Sequence, residues 1–279
     1  MDVQRMAAFS LGLEGGNPAG VVLLDSPAEE AEMARVAAEV GYSETAFAVK
    51  VDETAQSWRV RYFSPESEVP FCGHATIALG AVLGREYGKG TYALSLNEAE
   101  ITVDVDASGN GMQATLSSPS TASRALPEAA LRDVLNLFGL APDDLDPRLP
   151  PALINAGANH ILLALKDRDR LAGMDYELDR GRTMMRALDV VTIMLVHIES
   201  TQAFNARNAF ASGGVFEDPA TGAAAAAFAG YLRDRGWPHG GAFVIRQGED
   251  MGSPSRIEVK LDDVPGASVR VSGTARLMK

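Results

Sequence analysis

The chain has 279 residues, 46% of them hydrophobic, and a formal charge of −12. At roughly 100 to 200 residues per domain this length favours two domains, each able to bury a core. The acidic balance holds no basic run to track a phosphate backbone, and no stretch approaches the ~18 to 20 apolar residues of a spanning helix, so neither nucleic acid nor membrane is an expected partner.

In chain order, an opening strand ends near Ser10, and Glu14-Gly15-Gly16-Asn17-Pro18-Ala19-Gly20 turns into the apolar strand Val21 to Leu24. The start Met1-Asp2-Val3-Gln4-Arg5 lacks a signal-peptide h-region, which predicts a cytoplasmic protein. Ser26-Pro27-Ala28-Glu29 supplies an N-cap, a proline at the first helical position and a box glutamate, predicting a helix from Pro27 to about Val40 that stops at Gly41. A strand from Glu44 to Val49 follows. Trp58 to Phe63 alternates Arg59 and Arg61 with Val60 and Tyr62, as a half-buried strand does. A helix from His74 to about Tyr87 precedes strands near Tyr92 to Leu96, Ile101 to Val105 and Met112 to Leu116. A helix from Pro127 to Phe138, closed by Gly139, leads to a connection bearing Pro142, Pro147, Pro150 and Pro151, which reads as a linker.

The second half repeats this order. Gly157-Ala158-Asn159-His160 before Ile161 to Leu165 echoes Gly16-Asn17-Pro18-Ala19 before its strand, Arg207 to Phe210 echoes Arg61 to Phe63, and an alanine-rich helix to Arg233 echoes the first central helix. Strands near Phe243 to Arg246, Ile257 to Leu261 and Val269 to Val271 echo the first three. The separation of paired positions drifts from 142 (Asn17 to Asn159) through 146 (Arg61 to Arg207) and 149 (Cys72 to Thr221) to 156 (Val103 to Val259), as small loop insertions in a duplicated unit produce. The expected domains are 1–117, a connecting helix and linker over 118–150, and 151–272, with a last strand at about 273–279 able to return to the first. Gly222-Ala223-Ala224-Ala225-Ala226-Ala227-Phe228-Ala229-Gly230 has little bulk on any face, so strands can approach it from all round; alanine's helix propensity alone gives the same run.

Two helix starts carry the chemistry. Cys72-Gly73-His74-Ala75-Thr76 and Glu217-Asp218-Pro219-Ala220-Thr221-Gly222-Ala223 each follow an apolar strand and open a helix of small residues. Unpaired backbone N–H groups and the helix dipole favour an anion there, so two such ends facing one another clamp a small anionic substrate. Glu44, at the mouth of the apolar strand Thr45-Ala46-Phe47-Ala48-Val49, is partly withdrawn from water, an environment suited to a general acid or base; a solvated strand-end glutamate is the alternative. His74 reads as a neutral donor or acceptor or as a capping or core histidine, Cys72 as a thiol at a helix start or a small core residue, and Asp218 as a helix N-cap or a substrate contact. Cys72 is the single cysteine and His74, His160, His197 and His239 are scattered, so neither a disulfide nor a metal ligand set is expected. No G-x-G-x-x-G, P-loop, G-x-S-x-G or H-E-x-x-H order occurs, and no cofactor is expected.

Five motifs, Gly16-Asn17-Pro18-Ala19-Gly20-Val21-Val22, Ser43-Glu44-Thr45-Ala46-Phe47, Arg61-Tyr62-Phe63-Ser64-Pro65-Glu66-Ser67-Glu68, Cys72-Gly73-His74-Ala75-Thr76 and Glu217-Asp218-Pro219-Ala220-Thr221-Gly222, together resemble the PhzF-like phenazine biosynthesis proteins. The resemblance implies an α+β, diaminopimelate epimerase-like fold: two similar domains, each a curled mixed sheet around a central helix, with the active site between them and often a homodimer. It implies a cofactor-independent isomerase in which Glu44 moves the proton, His74 and Asp218 bind or relay, and Asn17, Cys72, Gly73, Ala75, Thr221, Gly222 and Ala223 contact substrate. Cys72-Gly73-His74-Ala75-Thr76 is the form of the predicted epimerase or isomerase branch, so the dihydro-hydroxyanthranilate substrate of the phenazine enzyme does not carry over. Related racemases use two cysteines; here the second position is Thr221, too weak an acid to oppose Cys72. Ala223 stands where the family often has serine, and Ser212 where it usually has proline. An amino-acid racemase using Glu44 and Cys72, or a non-catalytic small-molecule binding protein, is the alternative.

Overall fold

In the computed structural model, which describes residues 1–52, 56–97, 99–109 and 111–278, the chain divides into two units, Met1–Ser117 with Ser272–Lys279, and Ser118–Val271. The strands expected from apolar alternation are present, and in the first unit they close on themselves. That unit holds β1 (Gln4–Ala8), β2 (Asn17–Leu24), α1 (Glu30–Val40), β3 (Thr45–Lys50), β4 (Ser57–Phe63), β5 (Glu68–Val69), α2 (Gly73–Tyr87), β6 (Gly90–Ser95), β7 (Glu100–Ser108) and β8 (Gly111–Ser117). A late strand, Arg270–Leu277 (β17), completes it: β17 pairs antiparallel with β1, Met6 opposite Leu277, and also pairs with β8. Pairing then runs β1 to β2 to β3 to β4 to β6 to β7 to β8, a closed ring of strands.

The ring encloses α2, whose residues His74 to Gly84 are all buried. Small side chains make that enclosure possible. A Cβ on Gly80 would lie 2.8 Å from both Ala114 Cβ and Val103 Cγ2, so the sheet approaches the helix as closely as glycine allows. Outside the ring, Met33, Val36 and Ala37 of α1 pack on Val22, Phe47 and Phe63, the two phenylalanine rings meeting edge to face at 5.7 Å. α1 begins at Glu30, three residues later than its capping sequence predicts, with Glu29 as an N-cap that makes no side-chain bond. Ala28 is drawn onto the Val22–Met33 cluster, and that tertiary contact outweighs the local Ser26-Pro27 signal.

The second unit holds β9 (Ala122–Ala125), α3 (Glu128–Phe138), β10 (Ala152–Asn155), β11 (Asn159–Leu165), α4 (Arg168–Ala172), α5 (Leu178–Ala187), β12 (Thr192–Ser200), β13 (Ala203–Ala209), β14 (Glu217–Asp218), α6 (Gly222–Asp234), β15 (Ala242–Gln247) and β16 (Ser255–Lys260). Its strands run β9, β10, β11, β12, β13, β15, β16 by pairing, with β11–β12 and β13–β15 parallel and the rest antiparallel. On one face lies α6, buried from Ala224 to Arg233, with Gly230 where any larger residue would collide with Thr121. On another, α3 and α5 bring Val134, Leu135 and Met185 onto Ile161, Leu163 and Leu195.

Two organisational expectations differ from what is observed. Residues 118–150, expected as a connecting helix and linker, do hold a helix, α3, but they belong to the second unit: β9 pairs with β10, and Leu126, Val134 and Leu137 of the same stretch lie in that unit's core. The strand expected at Val269 to Val271 in the second half and the last strand expected at about 273–279 to return to the first are in the structure one strand, β17, which begins at Arg270 and joins the first unit's ring; Lys279 lies outside the described residues. Strand partners are fixed by closure of the ring, which local apolar pattern does not encode. Among the described residues, no helix is long and apolar enough to cross a membrane.

Candidate functional site

In the first unit, β2 and β3 run parallel with Gly20 opposite Thr45, and the Gly20 N–H donates to the Glu44 carbonyl at 3.1 Å. A Cβ on Gly20 would meet Thr45 Oγ1, so glycine is what lets the two strands close over the residue before β3. That residue is Glu44, and its carboxylate leaves the strand mouth toward the start of α2. Cys72 is the N-cap of α2, in extended conformation and without a side-chain cap. Its carbonyl accepts from the Thr76 N–H at 3.0 Å and the Thr76 hydroxyl at 2.7 Å. The buried Tyr62 hydroxyl pairs with Thr76 Oγ1 at 2.6 Å; burial holds that phenol well above its ordinary range, against the Thr76 hydrogen bond and with Cys72 adding to the rise.

This frame brings three sequence candidates together. His74 Nε2 lies 3.3 Å from Glu44 Oε2 and 3.3 Å from Ser43 Oγ, and His74 Nδ1 lies 3.4 Å from Cys72 Sγ. Cys72 and His74 are each 8% exposed, and the Glu44 side chain 17%. Asn17, buried, opens β2 opposite Ala8, and Ala75 is buried in the first turn of α2. Beside Gly73 is open space, since a Cβ there would meet nothing within 4 Å. The first-turn N–H groups of α2 thus begin at a backbone position that a ligand can approach.

In the second unit, Asp218, Thr221, Gly222 and Ala223 form the start of α6. Thr221 is its N-cap, and the Thr221 hydroxyl donates to Asp218 Oδ2 at 2.6 Å. Behind it runs a buried chain of hydrogen bonds that sequence reasoning missed. The Thr192 hydroxyl donates to Asn208 Oδ1 at 2.9 Å, and Asn208 Nδ2 donates to Gln247 Oε1 at 3.2 Å. Gln247 Nε2 then donates to the Asp218 carbonyl at 2.7 Å and to Thr221 Oγ1 at 3.1 Å. At the far end His160 Nδ1 lies 2.8 Å from Thr192 Oγ1. Because that hydroxyl's proton is committed to Asn208, His160 must donate from Nδ1, which leaves Nε2 as a lone pair, buried without a partner. Burial pushes the His160 imidazole down to about 4. Every side-chain donor points the same way, toward Asp218, while the Thr221 N–H donates back to Gln247 Oε1 at 3.3 Å. The available signal was a polar residue at the edge of each apolar run: His160 before Ile161, Thr192 before Ile193, and Gln247 after Ile245 and Arg246.

Register shows how the units correspond. Arg61 binds Glu68 in a bidentate pair at 2.7 and 2.6 Å, and Arg207 binds Glu217 in the same way, with Phe63 opposite Glu68 and Ala209 opposite Glu217. Thr45 lies opposite Phe63 as Ile193 lies opposite Ala209, so Thr192 holds the position that Glu44 holds in the first unit. The Ala225 N–H bonds to the Thr221 carbonyl as Thr76 does to Cys72, so Thr221 matches Cys72 and Ala223 matches His74. At these three positions the first unit carries carboxylate, thiol and imidazole, and the second carries hydroxyl, hydroxyl and methyl.

The sequence matches the profile of a family described as phenazine biosynthesis-like protein over residues 6–279. A Deinococcus radiodurans protein named as an uncharacterized isomerase is 34% identical, the match covering 97% of this chain and 91% of that protein. The crystal structure of a Bacillus anthracis phenazine biosynthesis protein of the PhzF family is similar with a TM-score of 0.87 at 22% identity, covering 99% of this chain and 96% of that one. A predicted epimerase from Pseudomonas aeruginosa is similar with a TM-score of 0.84 at 26% identity and the same coverage.

Proposed function

This chain belongs to the family of phenazine biosynthesis-like proteins, with the α+β, diaminopimelate epimerase-like fold and isomerases among its relatives, and on that premise we propose that it is a cofactor-independent isomerase. It moves a proton between two carbons of a small carboxylate-bearing substrate. The Glu44 carboxylate takes a proton as one C–H bond breaks, leaving an enolate-type anion, and the same carboxyl returns it as a new C–H bond forms elsewhere. No electron leaves the substrate. His74 donates from Nε2 to Glu44 and accepts from the Cys72 thiol at Nδ1, which fixes the carboxylate for transfer through its other oxygen. The first-turn N–H groups of α2, beside Gly73, hold the substrate carboxylate and the developing negative charge. Asp218, held by Thr221 beside Gly222 and Ala223, takes the positioning part that the resemblance gives it. A homodimer and a cytoplasmic location belong to the same proposal.

The contact that carries this reading is Glu44 Oε2 to His74 Nε2, 3.3 Å, at a largely buried strand mouth. Its counterpart in the second unit is Thr192, which supplies no second base. The test is solvent-deuterium incorporation into a ligand that co-purifies with the protein and is identified by mass spectrometry. Glu44→Gln keeps the shape and the binding but should lower exchange by roughly 10² to 10⁴, the usual worth of general acid/base catalysis. Cys72→Ala should cost far less. If Cys72→Ala abolishes exchange while Glu44→Gln leaves it, Cys72 is the base and a racemase replaces the isomerase.

A further inference from the structure

Glu44, Cys72 and His74 offer a carboxylate oxygen, a sulfur and a ring nitrogen, and these three atoms all lie within 4.8 Å of one another. The scattered spacing of histidines along the chain gave no hint of this, because the ligand types come from two segments that only the fold brings together. Zinc with Zn–S near 2.3 Å and Zn–N or Zn–O near 2.0 to 2.2 Å sets tetrahedral ligand atoms roughly 3.3 to 3.6 Å apart. His74 Nε2 already stands 3.3 Å from Glu44 Oε2 and 3.9 Å from Cys72 Sγ. With every edge within 4.8 Å, none has to contract by more than roughly 1.5 Å to reach the zinc geometry. Sulfur with imidazole selects against hard cations such as Mg²⁺ and Ca²⁺ and for a thiophilic one.

We propose that Glu44, Cys72 and His74 also bind one thiophilic divalent cation, for which Zn²⁺ has the best-matched donor set, with water in the fourth position. On binding, the Cys72 S–H bond breaks, its proton goes to solvent and a sulfur–metal bond forms; nothing is oxidised or reduced. A coordinated Glu44 carboxylate cannot also take a proton from carbon. Cation binding and proton transfer therefore exclude each other, a consequence that rests on the function proposed above, whereas the binding itself does not.

Co²⁺ is the probe, since thiolate ligation gives it an intense charge-transfer absorption and tetrahedral ligation gives visible d–d bands. Cys72 is the chain's single cysteine, so a thiolate band in the wild type reports that residue and no other. Titrating the reduced, metal-free full chain should produce both signals, saturating at one ion per chain and displaced by Zn²⁺. Cys72→Ser should abolish the charge-transfer band, and His74→Asn should weaken binding by more than the roughly 10- to 100-fold that loss of an outer-shell partner costs. Circular dichroism checks the fold of each variant, and if a variant fails to fold the wild-type spectrum still decides. No charge-transfer band in the wild type, or a band that persists in folded Cys72→Ser, overturns the site.

Discussion

Acidification should destabilise this protein through one buried imidazole. His160 is fully buried, its Nε2 faces no partner, and burial lowers it from 6.5 to about 4. The unfolded chain takes up this proton at higher pH than the folded chain does. Stability is therefore unaffected above about pH 6.5, falls as pH drops from there toward about 4, and is level again below. A tenfold difference in proton affinity is worth about 1.4 kcal/mol, so the full loss is about 3 kcal/mol, of which about 2 kcal/mol is reached by pH 5. Urea unfolding at pH 7.5 and at pH 5 measures it. In His160→Asn the amide nitrogen falls near Nδ1 and can still donate to Thr192, while no proton can be gained. That variant is less stable at pH 7.5 because the ring volume is lost, but its decline between the two pH values should be smaller than the wild type's by about 2 kcal/mol. Carboxylates titrate alike in both proteins, so equal declines would refute the assignment of acid sensitivity to His160.

The two arginine–glutamate pairs offer a matched comparison. Arg207 and Glu217 have side chains 8% and 2% exposed, so Arg207→Met, which strands a buried carboxylate, should cost about 3–5 kcal/mol in chemical denaturation. Arg61 and Glu68 are 23% and 21% exposed, and Arg61→Met should cost about 1 kcal/mol in the same assay; equal costs would show that burial does not set the difference. Gln247→Leu leaves Asn208 Nδ2 without its acceptor and Thr221 without its donor, and should lower stability by about 1–3 kcal/mol, with loss of protection of the Thr221 amide in hydrogen exchange as the specific readout. Gly80→Ala drives a methyl to 2.8 Å from Ala114 and Val103 and should cost about 1–3 kcal/mol in thermal melts, whereas helix propensity alone predicts a gain.

Most regular elements were legible because their apolar periods are strong: Trp58 to Phe63 matches β4 within one residue, and Gly139 closes α3 in the left-handed conformation as its position predicts. Glu44, His74 and Cys72 were legible as a motif set, but their contact distances come from Gly20 admitting Thr45 and from Cys72 capping α2. Local pattern failed where partners are chosen at long range. Ala122 to Ala125 shows neither alternation nor β-branched residues and is a strand only because β10 pairs with it, while Val269 to Val271 looked like a neighbour of β16 and its strand serves β1 and β8. The chain His160–Thr192–Asn208–Gln247 was invisible for a related reason. Whether an isolated polar residue in a strand faces water or a buried partner depends on the pleat and on what lies across it, as Asn208 opposite Asp218 shows.

The strand that closes the first ring has a consequence for synthesis. β17 follows the whole second unit in the chain, yet it fills the place between β1 and β8. A nascent chain that has completed β8 therefore holds a barrel with a slot, two unsatisfied strand edges and a central helix exposed along one side, until residues 118–271 have also been made. At about 5–20 residues per second that interval is on the order of 10 s, long beside hairpin formation. The second unit, contiguous over 118–271, is free to finish folding first although it is translated second. Open edges are the usual route to misassembly, so the vulnerable species is the first unit before β17 has been made, and the arrival of Arg270–Leu277 is what ends its exposure.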